Sequence, residues 1–238
     1  MEIVSIDKER RTRRFWEWDT PASSYQEEQT GNYRIGKHVY RRGLYSYHGM
    51  DGCAYFTAKN PLTLTTLREF RENEWHTWMV DSPPDYRAME KYAEKAYGRV
   101  LTTGLGLGLV THELCKNDRV ESITIIERSQ SVIKLVQKHL PKDNRIEVVC
   151  EDFWKFIEQN DPKWDTLIVD LWVFTGHERQ IQIYEEEIIP ANKVLRAKYP
   201  EAQIIFHAFA GMPTMEEVNR VQRMGGNTDP LIYGLGGK

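Results

Sequence analysis

The chain has 238 residues, 40% of them apolar and 28% charged, with a formal net charge of −3. This suits one large globular domain, or one domain with a small appendage, rather than a disordered or fibrous chain. The charge excludes a general pull towards nucleic acid, no apolar run reaches the roughly 18 residues of a membrane helix, and Cys53, Cys115 and Cys150 lack the spacing of a disulfide framework or zinc site.

Residues 1–30 are polar and read as a basic arm without regular order. Lys8, Arg10, Arg11, Arg13 and Arg14 form a basic run, followed by Phe15, Trp16 and Trp18. Two readings stand: an arm touching an anionic partner such as nucleic acid, or a solvated tail whose aromatics dock on the body. The first residues lack the apolar core of a secretion signal, so a cytoplasmic chain with free thiols is expected.

Residues 31–84 read as a small antiparallel β-rich segment or lid. Tyr33–Tyr40, Leu44–Tyr47, Cys53–Thr57 and Trp75–Val80 carry β-branched and aromatic residues between turns at Gly43, 49–52 and Asn60-Pro61. Asp81-Ser-Pro-Pro84 breaks the chain. Asp85–Tyr97 then has helical spacing in Tyr86, Met89, Ala93 and Ala96, with Gly98 placed to cap it.

From Arg99 the pattern alternates, and residues 85–238 read as a Rossmann-like α/β domain. Strands are predicted at Val100-Leu101, Val120–Ile126, Ile146–Val149, Thr166–Val169 and Gln203–Phe206. Helices are predicted at Leu109–Lys116, Gln130–His139, Phe153–Gln159 and His177–Lys198, the last kinked by Pro190. This order predicts a mostly parallel sheet with helices on both faces and ligands at the strand carboxyl ends. Met212–Lys238 offers one helix, 214–224, where a full sheet of this kind adds two strands; an abbreviated, open-edged sheet is expected, and with it a possible homodimer interface.

Gly104, Gly106 and Gly108 lie between the first of these strands and its helix, where backbone can approach a ligand. Leu109 stands where the dinucleotide fingerprint needs its third glycine, and no lysine follows as in a phosphate-binding P-loop. The loop, with Leu105 and Leu107 between its glycines, therefore suits a neutral or cationic ligand end. Glu127 ends the second strand about 20 positions on, the spacing of a carboxylate that accepts from ribose hydroxyls. Asp170 ends the fourth strand on the same edge, where a carboxylate can orient an amine or hydroxyl acceptor, take its proton, or hold a ligand's α-amino group. Asp152 precedes a helix and reads equally as an N-cap. The run Glu185-Glu-Glu187 reads as a solvated face. His112, His177 and His207 are scattered, so no metal site is expected.

Gly104-Leu-Gly-Leu-Gly108, Glu127, Glu151-Asp-Phe153 and Asp170-Leu-Trp172, in this order, resemble the class I S-adenosylmethionine-dependent methyltransferase superfamily, and within it the spermidine-synthase-like branch, which carries a small β-rich segment ahead of its core. The resemblance implies a transferase using S-adenosyl-L-methionine, or its decarboxylated form in an aminopropyl transferase. It implies that Gly104, Leu105, Gly106 and Gly108 face the amino-acid end of the cofactor, Glu127 the ribose, Asp152 and Phe153 the adenine, and Asp170 the reacting groups. Trp172, Phe174 and Tyr86 would wall the substrate pocket. Methyl transfer to an unidentified small or macromolecular acceptor is the first expectation. The aminopropyl alternative meets Asp170 at the first position of its Asp-x-x-Asp pattern but Val173 at the second, and no acidic residue in the glycine loop. A non-catalytic nucleoside-binding or partner-binding protein is the third reading.

Overall fold

A computed structural model describes residues 19–41, 43–49, 52–58, 61–159, 163–172 and 183–207. The first sheet is antiparallel, with β1 (Glu28–Thr30), β2 (Tyr33–Tyr40), β5 (Leu62–Arg71) and β6 (Glu74–Val80) in the order β1-β2-β5-β6. Between β2 and β5, β3 (Gly43–Gly49) pairs with β4 (Gly52–Ala58) as a separate hairpin. Strand β5 is absent from the sequence reading because threonine and charge dilute its alternation. Leu62, Leu64 and Leu67 are nevertheless buried, and so are Thr65 and Thr66.

Residues 19–30, assigned by polarity to the arm, lie against the body. Ala22 and Tyr25 are buried, and β1 pairs with β2. Hydrogen bonds hold this polar stretch: the Thr20 hydroxyl donates to Asp81 Oδ2 at 2.6 Å, and the Tyr25 hydroxyl to the Leu107 carbonyl at 3.0 Å. Residues 1–18, with the basic run and its aromatics, lie outside the described residues.

Asp81-Ser-Pro-Pro84 opens a helix. α1 spans Pro83–Lys95, with Ser82 as N-cap accepting from the Asp85 N–H. Both prolines sit in the first turn, where no N–H is needed within the helix. Gly98 is not the cap: Ala96 takes that position, and Gly98, at φ +63°, opens β7. A Cβ at Gly98 would meet the Asp165 carboxylate at 2.4 Å.

The second sheet is parallel, with β7 (Gly98–Thr103), β8 (Val120–Glu127), β9 (Ile146–Cys150), β10 (Thr166–Val169) and β11 (Gln203–Phe206) in the order β11-β10-β7-β8-β9. Helices α2 (Leu109–Leu114), α3 (Gln130–Val136), α4 (Phe153–Gln159) and α5 (Ile189–Lys198) cover it. The pleat divides the core in two. Val100, Ile123, Ile125, Ile168 and Ile205 share a cluster with residues of α1, α2 and α3, whereas Leu101, Ile126, Leu167, Val169 and Ile204 share another with Phe153, Phe156, Ile157 and Leu195. From residue 183 the chain is helical to Lys198 and is divided beside Pro190, which stands in the first turn of α5 behind a π-helical turn at Tyr184–Ile188; 177–182 lie outside the described residues. Chain direction across the sheet reverses between β7 and β10, which puts a crevice at their carboxyl ends. Met212–Lys238 lies outside the described residues, and no described helix is long and apolar enough to cross a membrane.

Candidate active site

The carboxyl ends of the parallel strands open into a cavity of about 710 Å³. Its first wall is the glycine loop. Gly104, Gly106 and Gly108 have φ of +74°, +53° and +75°, a backbone that side-chain-bearing residues rarely adopt. The Gly104 N–H donates to the Ile126 carbonyl at 2.8 Å, keeping the chain beside β8 as it leaves β7. Glu127 closes the arrangement: Oε2 accepts from the Leu105 N–H at 3.0 Å and Oε1 from the Ser129 N–H at 2.8 Å. The loop and the carboxylate, 22 residues apart in the chain at that bond, are thus one unit. A carboxylate offers about four acceptor sites, so two remain for ligand hydroxyls.

Gly104, Leu105 and Gly106 line the cavity with Glu127. Gly108, expected there too, does not. It is the N-cap of α2, and a Cβ on it would come within 2.7 Å of Leu140 Cδ2. Leu107 is likewise structural. It is fully buried, its N–H donates to Met79 Sδ at 3.2 Å, and its carbonyl accepts from Tyr25.

Asp152 lines the cavity and also caps α4, its Oδ1 accepting from the N–H groups of Trp154 and Lys155 at 3.0 and 3.1 Å. Only Oδ2 lies outside that cap. Phe153 is buried and borders the cavity, as does Trp172, whose ring lies 6.0 Å from that of Phe206. Asp170 lies in the crevice, its N–H donating to Thr103 Oγ1 at 2.6 Å. Burial pushes its carboxyl above the usual range, and nearby His207 moderates the rise.

Tyr86, expected in the substrate pocket, is not part of this wall; its hydroxyl donates to Glu113 Oε1 on α2. Tyr92 takes the place on α1 that faces the cavity. Six residues separate the two, about 120° around a helix, so they cannot share a face. Phe174 lies outside the described residues. Glu187, from the run read as a solvated face, is exposed as expected and borders the cavity.

The antiparallel sheet supplies a wall, as expected of the β-rich segment, through four residues that the sequence reading did not name: Tyr33, Leu67, Trp78 and Met79. Trp78 Nε1 and the Tyr33 hydroxyl each donate to Glu69 at 2.9 Å, and the Arg128 guanidinium lies 5.6 Å from the Trp78 ring centre. Charge around the cavity is one-sided: Glu127, Glu151, Asp152, Glu158, Asp170 and Glu187 against Arg128, with His207 beside Asp170. Clustered carboxylates with low-dielectric walls make a field that attracts cations. A ligand with a cationic end is what these groups favour.

The family model of the spermine/spermidine synthase domain matches residues 88–217. Among curated proteins, the polyamine aminopropyltransferase of Caldicellulosiruptor saccharolyticus is 37% identical over 78 residues, 30% of this chain and 28% of that one. The polyamine aminopropyltransferase of Korarchaeum cryptofilum is 34% identical over 96 residues, 37% of this chain and 29% of that one. The chain thus matches less than a third of the length of these relatives. Among solved structures, a spermidine synthase in complex with the transition state analogue AdoDATO aligns with a TM-score of 0.40 and 19% identity, covering 62% of this chain and 46% of that one.

Proposed function

The chain belongs to the spermine/spermidine synthase domain family, and on that premise we propose that it transfers an aminopropyl group from decarboxylated S-adenosylmethionine to a polyamine-like amine. The observation that carries this reading is the six-carboxylate lining of the cavity. A diamine is dicationic at neutral pH, and only opposing carboxylates offset the cost of taking it out of water.

The residues fit the nucleoside. Glu127 keeps acceptor sites for the ribose diol after binding Leu105 and Ser129, and the cavity lies within the roughly 300–1,000 Å³ of small-molecule sites. When bound, the sulfonium supplies an already activated carbon. What remains for the chain is alignment and proton removal. Asp152 Oδ2 is the acceptor for the adenine amino group, with Phe153 beside the ring. Asp170 orients the amine. Glu158, Glu187 and Trp172 border the space left for the rest of the acceptor.

Methyl transfer from S-adenosylmethionine is the second reading. It rests on Val173, which stands where the aminopropyl pattern has its second aspartate. One assay separates the two. The purified chain is incubated with putrescine and either decarboxylated S-adenosylmethionine or S-adenosylmethionine, and the nucleoside products are resolved by mass spectrometry. Amine-dependent methylthioadenosine is the expected product. S-adenosylhomocysteine instead would establish methyl transfer. Neither product, together with no calorimetric binding of methylthioadenosine up to millimolar concentration, would remove the enzymatic reading.

A further inference from the structure

A histidine and a tyrosine that no motif singled out meet beside Asp170. β10 and β11 run in register through Val169 and Phe206, and the His207 N–H donates to the Val169 carbonyl at 2.8 Å one step beyond the strands. Asp170 and His207 therefore leave the sheet side by side. They follow Ile168 and Ile205 by two residues each and so project to the same face, the one covered by α1. Tyr92 rises from that helix. It is 1% exposed, its hydroxyl lies 3.1 Å from His207 Nδ1, and the two rings are perpendicular with centres 5.7 Å apart. All three side chains border the cavity.

With Nδ1 engaged by Tyr92, Nε2 is the ring nitrogen left for a ligand. When the ring proton sits on Nδ1, the hydroxyl accepts it and Nε2 presents a lone pair. The charged groups around the ring are Asp170 from the end of β10 and Asp85 from the first turn of α1. Burial pushes both carboxyls above the usual range, and His207 opposes that rise in each. Asp85 also accepts from the Ser82 hydroxyl at 2.6 Å. We propose that His207, oriented by Tyr92 and flanked by Asp170 and Asp85, is the group that takes the proton from the acceptor amine. This rests on the transfer reading above.

The step balances. The acceptor, bound as an ammonium, gives one proton to Nε2. Its freed lone pair forms the nitrogen–carbon bond while the carbon–sulfur bond breaks, its electron pair staying on sulfur. The product leaves as an ammonium, and the imidazolium passes its proton to water. Asp170 holds the amine; Tyr92 is a positioning residue.

The test uses the full chain with His207→Gln, Tyr92→Phe and Asp170→Asn. For His207→Gln, methylthioadenosine release falls by about 10²-fold or more, while methylthioadenosine still binds. For Tyr92→Phe, the fall is smaller. A rate within threefold of wild type in His207→Gln would overturn the proposal. A second readout needs no turnover: nitrogen-15 NMR of the ring is expected to show the proton on Nδ1, a preference lost in Tyr92→Phe and kept in Asp170→Asn. The opposite tautomer, or a preference indifferent to Tyr92, overturns the proposal. Silence of the wild-type chain in the product assay with this ring signature intact counts against the transfer reading alone.

Discussion

Replacing Glu127 by Gln tests whether one carboxylate joins the glycine loop to the ribose site. The two side chains are nearly the same size, but Glu127 accepts from two backbone N–H groups, one on each oxygen. A glutamine has one acceptor oxygen and one amide nitrogen, so in either orientation one N–H faces a donor. Leaving that buried donor unmet costs about 1–3 kcal/mol, and the surviving bond loses its charge assistance, about 1 kcal/mol more. The sum, about 2–4 kcal/mol, corresponds to a melting temperature lower by roughly 5–15 °C in a chain of this size. The diol also loses a charged partner, so affinity for methylthioadenosine drops by about 10–100-fold. Thermal unfolding followed by circular dichroism reads the first effect, and titration calorimetry on the folded protein reads the second. A variant melting within 2 °C of wild type would falsify the two-amide geometry. A lower melting point with unchanged affinity would show that Glu127 serves the loop and not the ribose.

Two further outcomes are expected. Gly106→Ala forces a methyl group into φ +53° and to 2.5 Å from Met79 Sδ; the backbone part costs about 1–2 kcal/mol, and only the remainder is relieved in a Met79→Ala background, so equal costs in both backgrounds of a double-mutant cycle would contradict the contact. Burial pushes the Asp85 carboxyl up to about 6 although the Ser82 hydroxyl bonds to it. The native state therefore keeps a proton that the unfolded chain has lost, and this contribution is complete below about pH 4 and declines as pH rises through 6. Asp85→Asn keeps an acceptor for Ser82 and is expected to gain on wild type by up to about 3 kcal/mol between pH 4 and 7 in urea unfolding; parallel pH curves for the two proteins would refute the assignment.

The parallel core was readable because its signals are local. Its strands are short apolar runs, α4, β10 and β11 fall on the residues expected, and the Glu127 spacing follows from one strand–helix–strand unit. Asp152 was open between two roles, and the structure shows the cap. What stayed hidden depends on distant partners. Trp78 and Met79 reach the cavity only because β6 lies against a loop that begins some 25 residues later, and nothing in Trp75–Val80 marks them. Tyr92 and His207, 115 residues apart, meet through packing of α1 on the sheet. Tyr86 was misplaced because its helical spacing fits the core equally well.

Met79 and Tyr25 grip the two backbone polar groups of one residue at the rim of the cavity, the amide and the carbonyl of Leu107. Grafting residues 83 onwards into another scaffold would strip away both supports, leaving a buried donor and acceptor with nothing to replace them. The N-terminal part of the chain is therefore no ornament on a self-sufficient parallel-sheet unit: the shape of the glycine loop is held from outside it. Changes that loosen the N-terminal strands should surface first as weakened nucleoside capture, well before the protein unfolds.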